Sequence, residues 1–342
     1  LLISINSMSS IFITKPPSFS INDINKLIHQ HFNFQNHHKI IELYSDRDQN
    51  FTFSDDSNKY FLKIFNPAEK KSTIKLQLAA LKYITNRDPN ILIPNPITSI
   101  TKIKHRGKIF QSCIFEYIEG DFLYEKKLNN YKYKKMGEFI GTLSKALTGF
   151  QHPGSQINFE WDIQNIDLLY KRIKYINPEK YQKLVYHFLK EYETNVIPHI
   201  ISLRKSIIHN DGNDHNILIA KKDGHLGIID FGDMVYSFQV LEPAVCMAYI
   251  ALKEKKPLIS MSYFLKGYHT YFPLLKNELK CIVYIICVRI CITVSMAAWR
   301  KTIFPENKYL TISEESAWLT LNKLANTDLE EWTQYLLDKN GF

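Results

Sequence analysis

The segment from Ser206 to Asp233 constrains the fold of this chain more than any other stretch. It reads SIIHNDGNDHNILIAKKDGHLGIIDFGD, with short apolar, β-prone runs on either side of Asp223-Gly224. Asp-Gly between two such runs is a strong signal for a tight β-hairpin turn. Because a hairpin returns its two ends to one place, the polar residues before the first run are predicted to lie beside those after the second.

These two polar clusters have the residue types and spacing of magnesium-phosphate chemistry. His209, Asp211 and Asn216 fit H-x-D-x-x-x-x-N, in which the aspartate orients and deprotonates a hydroxyl and the asparagine holds a metal ion. Asp230 opens the triplet Asp-Phe-Gly, where a carboxylate can bridge Mg²⁺ to nucleotide phosphates. We predict Asp211 as the base and Asn216 and Asp230 as metal ligands. Asp233 is expected to be a further ligand or a neighbouring acid.

His209 belongs to the same catalytic cluster, where we expect it to brace the loop rather than to transfer protons. The alternative interpretation is a solvated hairpin whose Asp and Asn residues only cap and turn the chain. Both clusters occur in the right order and on the two sides of one hairpin. That combination favours a phosphotransferase site.

The segment HNDGNDHNILI…GIIDFGDMVYS resembles the catalytic core of the aminoglycoside phosphotransferase and choline kinase superfamily, the small-molecule relatives of protein kinases. Other stretches are similar to a narrower group, hydroxylysine kinase and the phosphotransferase domain fused to class III aminotransferases. They are SDRDQNF at 45–51, YFLKIFNPAE at 60–69, GFQHPGSQINFEWDI at 149–163, EPAV at 242–245 and GYH at 267–269. One departure is Asn210, where the superfamily often has glycine; we expect little consequence, because that residue performs no chemistry.

The resemblance implies an α+β, two-lobed, protein-kinase-like fold, and a length of 342 residues is consistent with two lobes. The N-lobe is expected to be a small antiparallel sheet with one main helix, and the C-lobe to be larger and mainly helical. We place a flexible leader at residues 1–18, a nucleotide-binding N-lobe at 19–118, and a catalytic and substrate-binding C-lobe at 119–342.

The N-lobe sequence reads as an antiparallel meander from about Ile40 to Phe65. In this resemblance the segment SDRDQNF is the turn that covers the nucleotide phosphates, but it contains no glycine. Side chains would therefore have to donate hydrogen bonds to the phosphates. The candidates are Ser45, Arg47, Gln49 and Asn50. An ordinary polar hairpin explains the same residues.

Lys63 ends the third strand and points away from its apolar neighbours, where an ammonium could reach the α- and β-phosphates. A helix is predicted at about 68–85, and kinases place a glutamate there to hold this lysine. The best-aligned position is Gln77, which cannot neutralise Lys63. The lysine would then depend on the nucleotide or on another acid, such as Glu69.

Two further strands are predicted in ILIPNPITSI and KIFQSCIFEYIEG, at 91–100 and 108–120. The connection that follows is the hinge in this resemblance, where backbone groups of Glu116 and Ile118 would meet the purine. Because backbone groups make this contact, ATP and GTP are both expected cofactors alongside Mg²⁺.

FEWDI at 159–163 could hold a substrate ammonium group through Trp161 and Asp162. A packed tryptophan and a capping aspartate explain the same letters equally well. The resemblance adds Glu242, Tyr268 and His269 as substrate candidates, and Asp214 is a further one. We expect a small amino-alcohol substrate, with hydroxylysine favoured and homoserine, ethanolamine or an aminoglycoside left open.

Two rival functions remain open, a protein Ser/Thr kinase and a nucleotide-binding pseudokinase, sensor or scaffold. The absence of an Ala-Pro-Glu segment after Asp230 argues against the first. The second is disfavoured because the candidate base and both metal ligands are retained.

The net charge of +9 comes largely from scattered lysine pairs, which indicates a solvated surface rather than nucleic-acid binding. Five cysteines in mostly apolar sequence indicate free thiols and a cytoplasmic protein. The apolar stretch 281–299 carries Arg289 at its middle, which favours a buried helix over a membrane span. The oligomeric state is not predicted.

Overall fold

The computed structural model describes residues 10–32, 34–307 and 313–342. Its N-terminal part is a five-stranded antiparallel sheet in the order β1-β2-β3-β5-β4 with two helices. The elements are α1 (Ile21–Phe32), β1 (His38–Leu43), β2 (Gln49–Ser54), β3 (Lys59–Ile64), α2 (Lys71–Arg87), β4 (Thr101–His105) and β5 (Lys108–Glu116).

One face of this sheet is covered by α1. Phe51 and Phe53 of β2 and Leu62 of β3 form a buried cluster with Ile24 and Ile28 of α1. Side chains alternate between the two faces of a strand, so a residue next to Leu62 points to the opposite face. This alternation turns Lys63 towards the C-terminal part of the chain.

The prediction of a strand at 91–100 was wrong, because β4 begins only at Thr101. Pro94 and Pro96 lie within the predicted segment, and proline has no N–H to donate to a neighbouring strand. Pro96 forms only an isolated bridge with Phe115.

The prediction of a flexible leader was also wrong for residues 10–18. Ile11 and Phe12 are buried, and the Phe12 ring lies 5.9 Å from the ring of Phe159. The guanidinium of Arg47 stacks over Phe12 at 5.2 Å. The rest of the predicted leader, residues 1–9, lies outside the described residues.

The C-terminal part is mainly helical. It carries two small antiparallel sheets, in the orders β6-β8-β9 and β10-β7. Its strands are β6 (Gly120–Phe122), β7 (Lys205–Ile208), β8 (Ile217–Ala220), β9 (Leu226–Ile228) and β10 (Val235–Phe238). Its helices are α3 (Asn130–Ala146), α4 (Ile166–Arg172), α5 (Glu179–Asn195), α6 (Leu241–Lys253), α7 (Pro257–Tyr271), α8 (Lys276–Ile303), α9 (Glu314–Leu324) and α10 (Leu329–Lys339). The α+β, two-lobed fold class is confirmed.

Helices α3 and α7 pack with their backbones in close contact. A Cβ atom at Gly137 would lie 1.9 Å from the carbonyl oxygen of Phe264, and one at Gly267 would lie 2.0 Å from that of Lys134. Glycine is therefore required on both helices for this approach.

Helix α8 contains the apolar stretch and passes through the middle of the C-terminal part. By length and composition it could cross a membrane, but 89% of its apolar window is buried inside the protein. The prediction of a buried helix is confirmed.

Candidate active site

The hairpin predicted around Asp223-Gly224 is present. Strands β8 and β9 pair antiparallel, with Ile217 opposite Ile228, and Gly224 has the positive φ of 74° that the turn requires. Beyond the paired ends, the N–H of Ile229 donates to the carbonyl of Asn216 at 2.9 Å. Asn216 and Asp230 are thereby held at the same edge.

Asp211 lies in the loop before β8, with both carboxylate oxygens bound. The side-chain amide of Asn213 donates to Oδ1 at 2.7 Å, and that of Asn216 donates to Oδ2 at 2.6 Å. Burial, together with the nearby charge of Asp233, raises the pKa of Asp211 to about 8. The two amides orient this carboxylate, and Asn213 is a site residue that the sequence analysis missed.

His209 is fully buried beneath this loop. Its Nε2 contacts the carbonyl of Ile229 at 3.1 Å, and its Nδ1 accepts from the N–H of Asp211 at 3.3 Å. Burial lowers the pKa of His209 to about 4, so the ring is neutral near pH 7. This geometry supports the bracing role and removes His209 from the candidates for proton transfer.

Glu242 does not face the cleft, which corrects its assignment as a substrate residue. It is fully buried at the start of α6, and its Oε2 accepts from the N–H of His209 at 2.6 Å. Burial raises the pKa of Glu242 to about 7, although hydrogen bonds from the backbone of His209 and Asn210 oppose this rise. Glu242 therefore holds the loop from below.

Two residues of the site adopt left-handed backbone conformations, Asn210 with φ 66° and Asp230 with φ 59°. Asparagine and aspartate tolerate this region better than other residues with side chains. The expectation that Asn210 has little consequence overlooked its backbone conformation. This position needs a residue that can turn left-handed, as glycine also can.

Lys63 reaches the site from the facing lobe. Its Nζ lies 3.2 Å from Oδ1 of Asp230 and 3.0 Å from Oδ2 of Asp48. Burial opposes its protonation, but the charges of Asp230 and Asp48 outweigh burial and keep the pKa of Lys63 above its ordinary value.

Gln77 is buried on α2 and, among the described side chains, forms no hydrogen bond with Lys63. The expected partnership is therefore corrected. Asp48, rather than Gln77 or Glu69, is the residue that forms an ion pair with Lys63 from its own lobe. Asp48 was not among the sequence-predicted partners of Lys63, although it lies in the SDRDQNF turn beside Arg47 and Gln49.

Arg47 in the same turn forms an ion pair with Asp233 across the cleft. Burial opposes the charge of Arg47, but Asp233 and Asp230 together keep its pKa well above the ordinary value. Asp230 is 43% exposed in this cleft, and the charges of Lys63 and Arg47 overcome its desolvation and hold its pKa well below normal. Cations and acids thus neutralise each other along the cleft.

The other phosphate candidates have mainly structural contacts. The hydroxyl of Ser45 accepts from the N–H of Asp48 at 3.3 Å and caps the turn. Gln49 is buried against Phe19 and does not face the cleft, which corrects its assignment. Asn50 lies directly opposite Lys63 across β2 and β3.

The predicted hinge follows β5. The N–H of Glu116 already donates to the carbonyl of Asn95 at 2.9 Å, and its carboxylate accepts from the Asn95 side chain at 3.0 Å. Among the described residues, the N–H of Ile118 forms no hydrogen bond and is available to a purine.

Most of the predicted substrate residues are engaged elsewhere. Asp162 caps a short helix by accepting from the N–H of Gln164, and it also accepts from the Ser237 hydroxyl at 2.5 Å. These contacts agree with the alternative interpretation of Asp162 as a capping residue. Asp214 pairs with Lys253 at 3.0 Å. Tyr268 is fully buried and donates to Ser144, which corrects its assignment. Trp161 is partly exposed and lies beneath the guanidinium of Arg289 at 4.6 Å.

The oxygens around Asn216 and Asp230 suit a magnesium ion. Oδ1 of Asn216 and Oδ2 of Asp230 form no hydrogen bond within the described chain, and Asp230 opens into the cleft. Mg²⁺ takes one or two protein oxygens and completes its shell with phosphates and water. Among the described residues, no group of three or more His, Cys, Asp or Glu side chains is arranged to hold a metal ion.

Curated relatives of this chain are hydroxylysine kinases. The protein from Mus musculus is 28% identical over 316 residues, which cover 84% of each chain. The protein from Bos taurus is 25% identical over 342 residues, covering 91% of this chain and 90% of that one.

Solved structures confirm the fold. An amicoumacin kinase in complex with AMP-PNP, Ca²⁺ and its ligand superposes with a TM-score of 0.69 at 15% identity, covering 92% of this chain and 97% of that one. A microcompartment-associated aminopropanol kinase gives a TM-score of 0.63 at 14% identity, covering 93% and 98%. The model of the APH phosphotransferase enzyme family matches residues 39–260. The chain belongs to that family and is a small-molecule kinase.

Proposed function

We propose that this kinase transfers the γ-phosphate of ATP or GTP to the hydroxyl of a small amino alcohol, with hydroxylysine as the favoured substrate. The observation that carries the proposal is that the Asp211 carboxylate is oriented by two amides, one of them from Asn216, which is held at the same edge as Asp230 and its partner Lys63. Two curated relatives are hydroxylysine kinases, and this chain matches each of them over most of its length, which supports this substrate.

In the proposed reaction Asp211 accepts the proton of the substrate hydroxyl while the oxygen attacks the γ-phosphorus in line. A new P–O bond forms and the bond from the γ-phosphorus to the bridging oxygen breaks, so the nucleoside diphosphate leaves. Lys63 binds the α- and β-phosphates. Arg47 belongs to the turn between β1 and β2, which in this proposal covers the same phosphates.

Asn216 and Asp230 would hold magnesium, which supplies positive charge to phosphate oxygens and to the acids of the cleft. A base with a raised pKa suits this arrangement. Burial and the nearby charge of Asp233 raise the pKa of Asp211 to about 8, and additional positive charge in the cleft would lower this pKa and favour the carboxylate.

The proposal assigns nucleotide binding to residues 19–118 and the chemistry to residues 119–342. A cytoplasmic location is part of it, supported by five buried cysteines that are all free thiols.

The experiment is phosphate transfer from ATP and GTP, with and without magnesium, to hydroxylysine, homoserine, ethanolamine and an aminoglycoside. Asp211→Asn is expected to lower kcat by roughly 10²- to 10⁴-fold, the usual contribution of a general base, without weakening nucleotide binding. Asp223→Asn in the exposed hairpin turn is the matched control and should keep parent activity. Equal activity of Asp211→Asn and the parent would remove Asp211 as the base, and nucleotide binding without transfer would favour a pseudokinase.

A further inference from the structure

Arg289 is a buried cation without an acidic partner. It lies midway along α8 and is 2% exposed, and its Nη1 donates to the Thr293 hydroxyl at 3.0 Å. Its Nε forms no hydrogen bond, and no carboxylate of the described chain lies within ion-pair distance of its guanidinium. A buried charge costs free energy unless it is paired, so this arrangement calls for a compensating group.

The two other buried arginines of the C-terminal part are both paired. Arg172 lies 3.9 Å from a carboxylate oxygen of Glu160, and Arg300 forms an ion pair with Asp46. Arg289 differs from them because the groups that contact its guanidinium among the described residues are the Thr293 hydroxyl and two aromatic rings, not a carboxylate. The ring centroids of Trp161 and Tyr249 lie 4.6 Å and 6.0 Å from its guanidinium carbon. Cation–π contacts replace part of the lost hydration, but a ring gives the guanidinium N–H groups no hydrogen-bond acceptor, and Nε remains without one.

The position of Arg289 connects it with the reaction. The loop that carries Asp211 packs on α6, because a Cβ atom at Gly212 would lie 2.9 Å from Sγ of Cys246. Tyr249, three residues further along α6, has its ring centroid 6.0 Å from the guanidinium carbon of Arg289. Trp161, Tyr249 and Thr293 around the guanidinium are all partly exposed, so the cluster is not sealed inside the core. A substrate whose hydroxyl lies at Asp211 can therefore extend towards Arg289.

We propose that Arg289 binds a carboxylate of the substrate, which makes the substrate class hydroxy amino acids rather than simple amino alcohols or aminoglycosides. The inference rests on the proposed function and deepens it. The edge formed by Nε and Nη2 carries no hydrogen bond in the described chain, and a carboxylate fits such an edge through two parallel N–H···O bonds. A polycationic aminoglycoside would instead bring ammonium groups close to a buried cation, which is unfavourable.

The test compares 5-hydroxylysine with its carboxamide, which keeps the hydroxyl and both amino groups but carries no negative charge. A hydrogen-bonded charge pair contributes roughly 10- to 100-fold in affinity, so the parent should prefer the acid by that factor in kcat/KM, mostly through KM. Arg289→Met, which keeps the packing against Trp161, should reduce the preference to about one. Arg289→Lys should keep part of it.

Arg172→Met is the matched control, because Arg172 is equally buried and stacks on Trp299 at 4.2 Å. It should lower stability in urea unfolding, as Arg289→Met does, yet keep the preference of the parent for the acid. A purely structural role of Arg289 predicts that Arg289→Met lowers activity towards both compounds equally, and that result would overturn the proposal.

The outcomes separate this inference from the proposed function. Equal kcat/KM of the parent for the acid and the amide would end the carboxylate proposal while leaving the kinase function in place. If neither compound is phosphorylated, the proposed substrate fails. Calorimetric binding of the two compounds to the parent and to Arg289→Met then decides the carboxylate contact by itself, and no preference for the acid would refute it.

Discussion

Arg47, in the turn between β1 and β2, forms an ion pair with Asp233, the third residue after Asp230. The two side chains belong to opposite lobes, and both are largely shielded from water. This contact closes the cleft at the position where nucleotide phosphates are proposed to bind. A bound nucleotide would compete with Asp233 for the guanidinium, so the pair links phosphate binding to the contact between the lobes.

We expect a double-mutant cycle of Arg47→Gln and Asp233→Asn to show a coupling of about 1–3 kcal/mol in the free energy of unfolding, because the pair is shielded and the two groups interact directly. The control cycle uses Glu179 and Lys183, an i,i+4 pair on α5 at 74% and 75% exposure, for which the coupling should be about 0.5 kcal/mol or less. Additive effects of the Arg47 and Asp233 changes would show that the contact contributes nothing.

Asp48 is expected to orient Lys63. Asp48→Asn removes a charge-assisted contact of 3.0 Å and should lower kcat/KM for the nucleotide by about tenfold or more. Gln77→Met replaces a buried side chain that, among the described residues, forms no hydrogen bond with Lys63, and it should leave kcat/KM within about twofold, even if stability falls. Steady-state kinetics with varied nucleotide measures both, and a larger loss in Gln77→Met than in Asp48→Asn would reverse the assignment.

Glu242 should make stability depend on pH. Its pKa is about 7 in the folded protein, against an ordinary value of 4.5, so between these values the unfolded chain ionises while the folded chain keeps the proton. The parent therefore loses stability as the pH rises from 4.5 to 7, by up to about 3 kcal/mol. Glu242→Gln lacks this loss, so its stability relative to the parent should increase over that range.

Urea unfolding at pH 5 and pH 8 measures the difference. The exposed Glu179→Gln is the matched control and should show no such change relative to the parent. If the difference in the free energy of unfolding between Glu242→Gln and the parent stays constant with pH, the buried carboxyl keeps an ordinary pKa in the folded state.

Gly137→Ala tests the close contact of α3 and α7. A helical alanine is normally more stable than glycine by up to about 1 kcal/mol, but here the added Cβ would meet the Phe264 carbonyl oxygen at 1.9 Å. We expect a net loss of about 2 kcal/mol or more, because the helices must move apart. Lys145→Ala, on the exposed face of α3, should change stability by only about 0.5 kcal/mol or less. Stability of Gly137→Ala at or above that of the parent would show that the helices separate easily.

The parts of the site that follow from neighbouring residues were predictable. Asp223-Gly224 specifies the hairpin, the hairpin brings Asn216 to Asp230, and Asn216 is the fifth residue after Asp211. Strand alternation alone turned Lys63 towards the cleft. The left-handed backbone at Asn210 and Asp230 also agrees with the local preferences of these residue types.

The partners of these residues were decided by tertiary structure. The sequence pointed to Gln77 or Glu69 as the partner of Lys63, and only the packing of α2 and the β1–β2 turn shows that Asp48 forms the contact. Glu242 and Tyr268 carry polar groups that suit a substrate, yet long-range packing buries both of them. A sequence shows which side chains can bind or ionise, because that is a property of the residue. Whether they do so depends on burial and on partners far along the chain, as the isolated charge of Arg289 in an apolar helix shows.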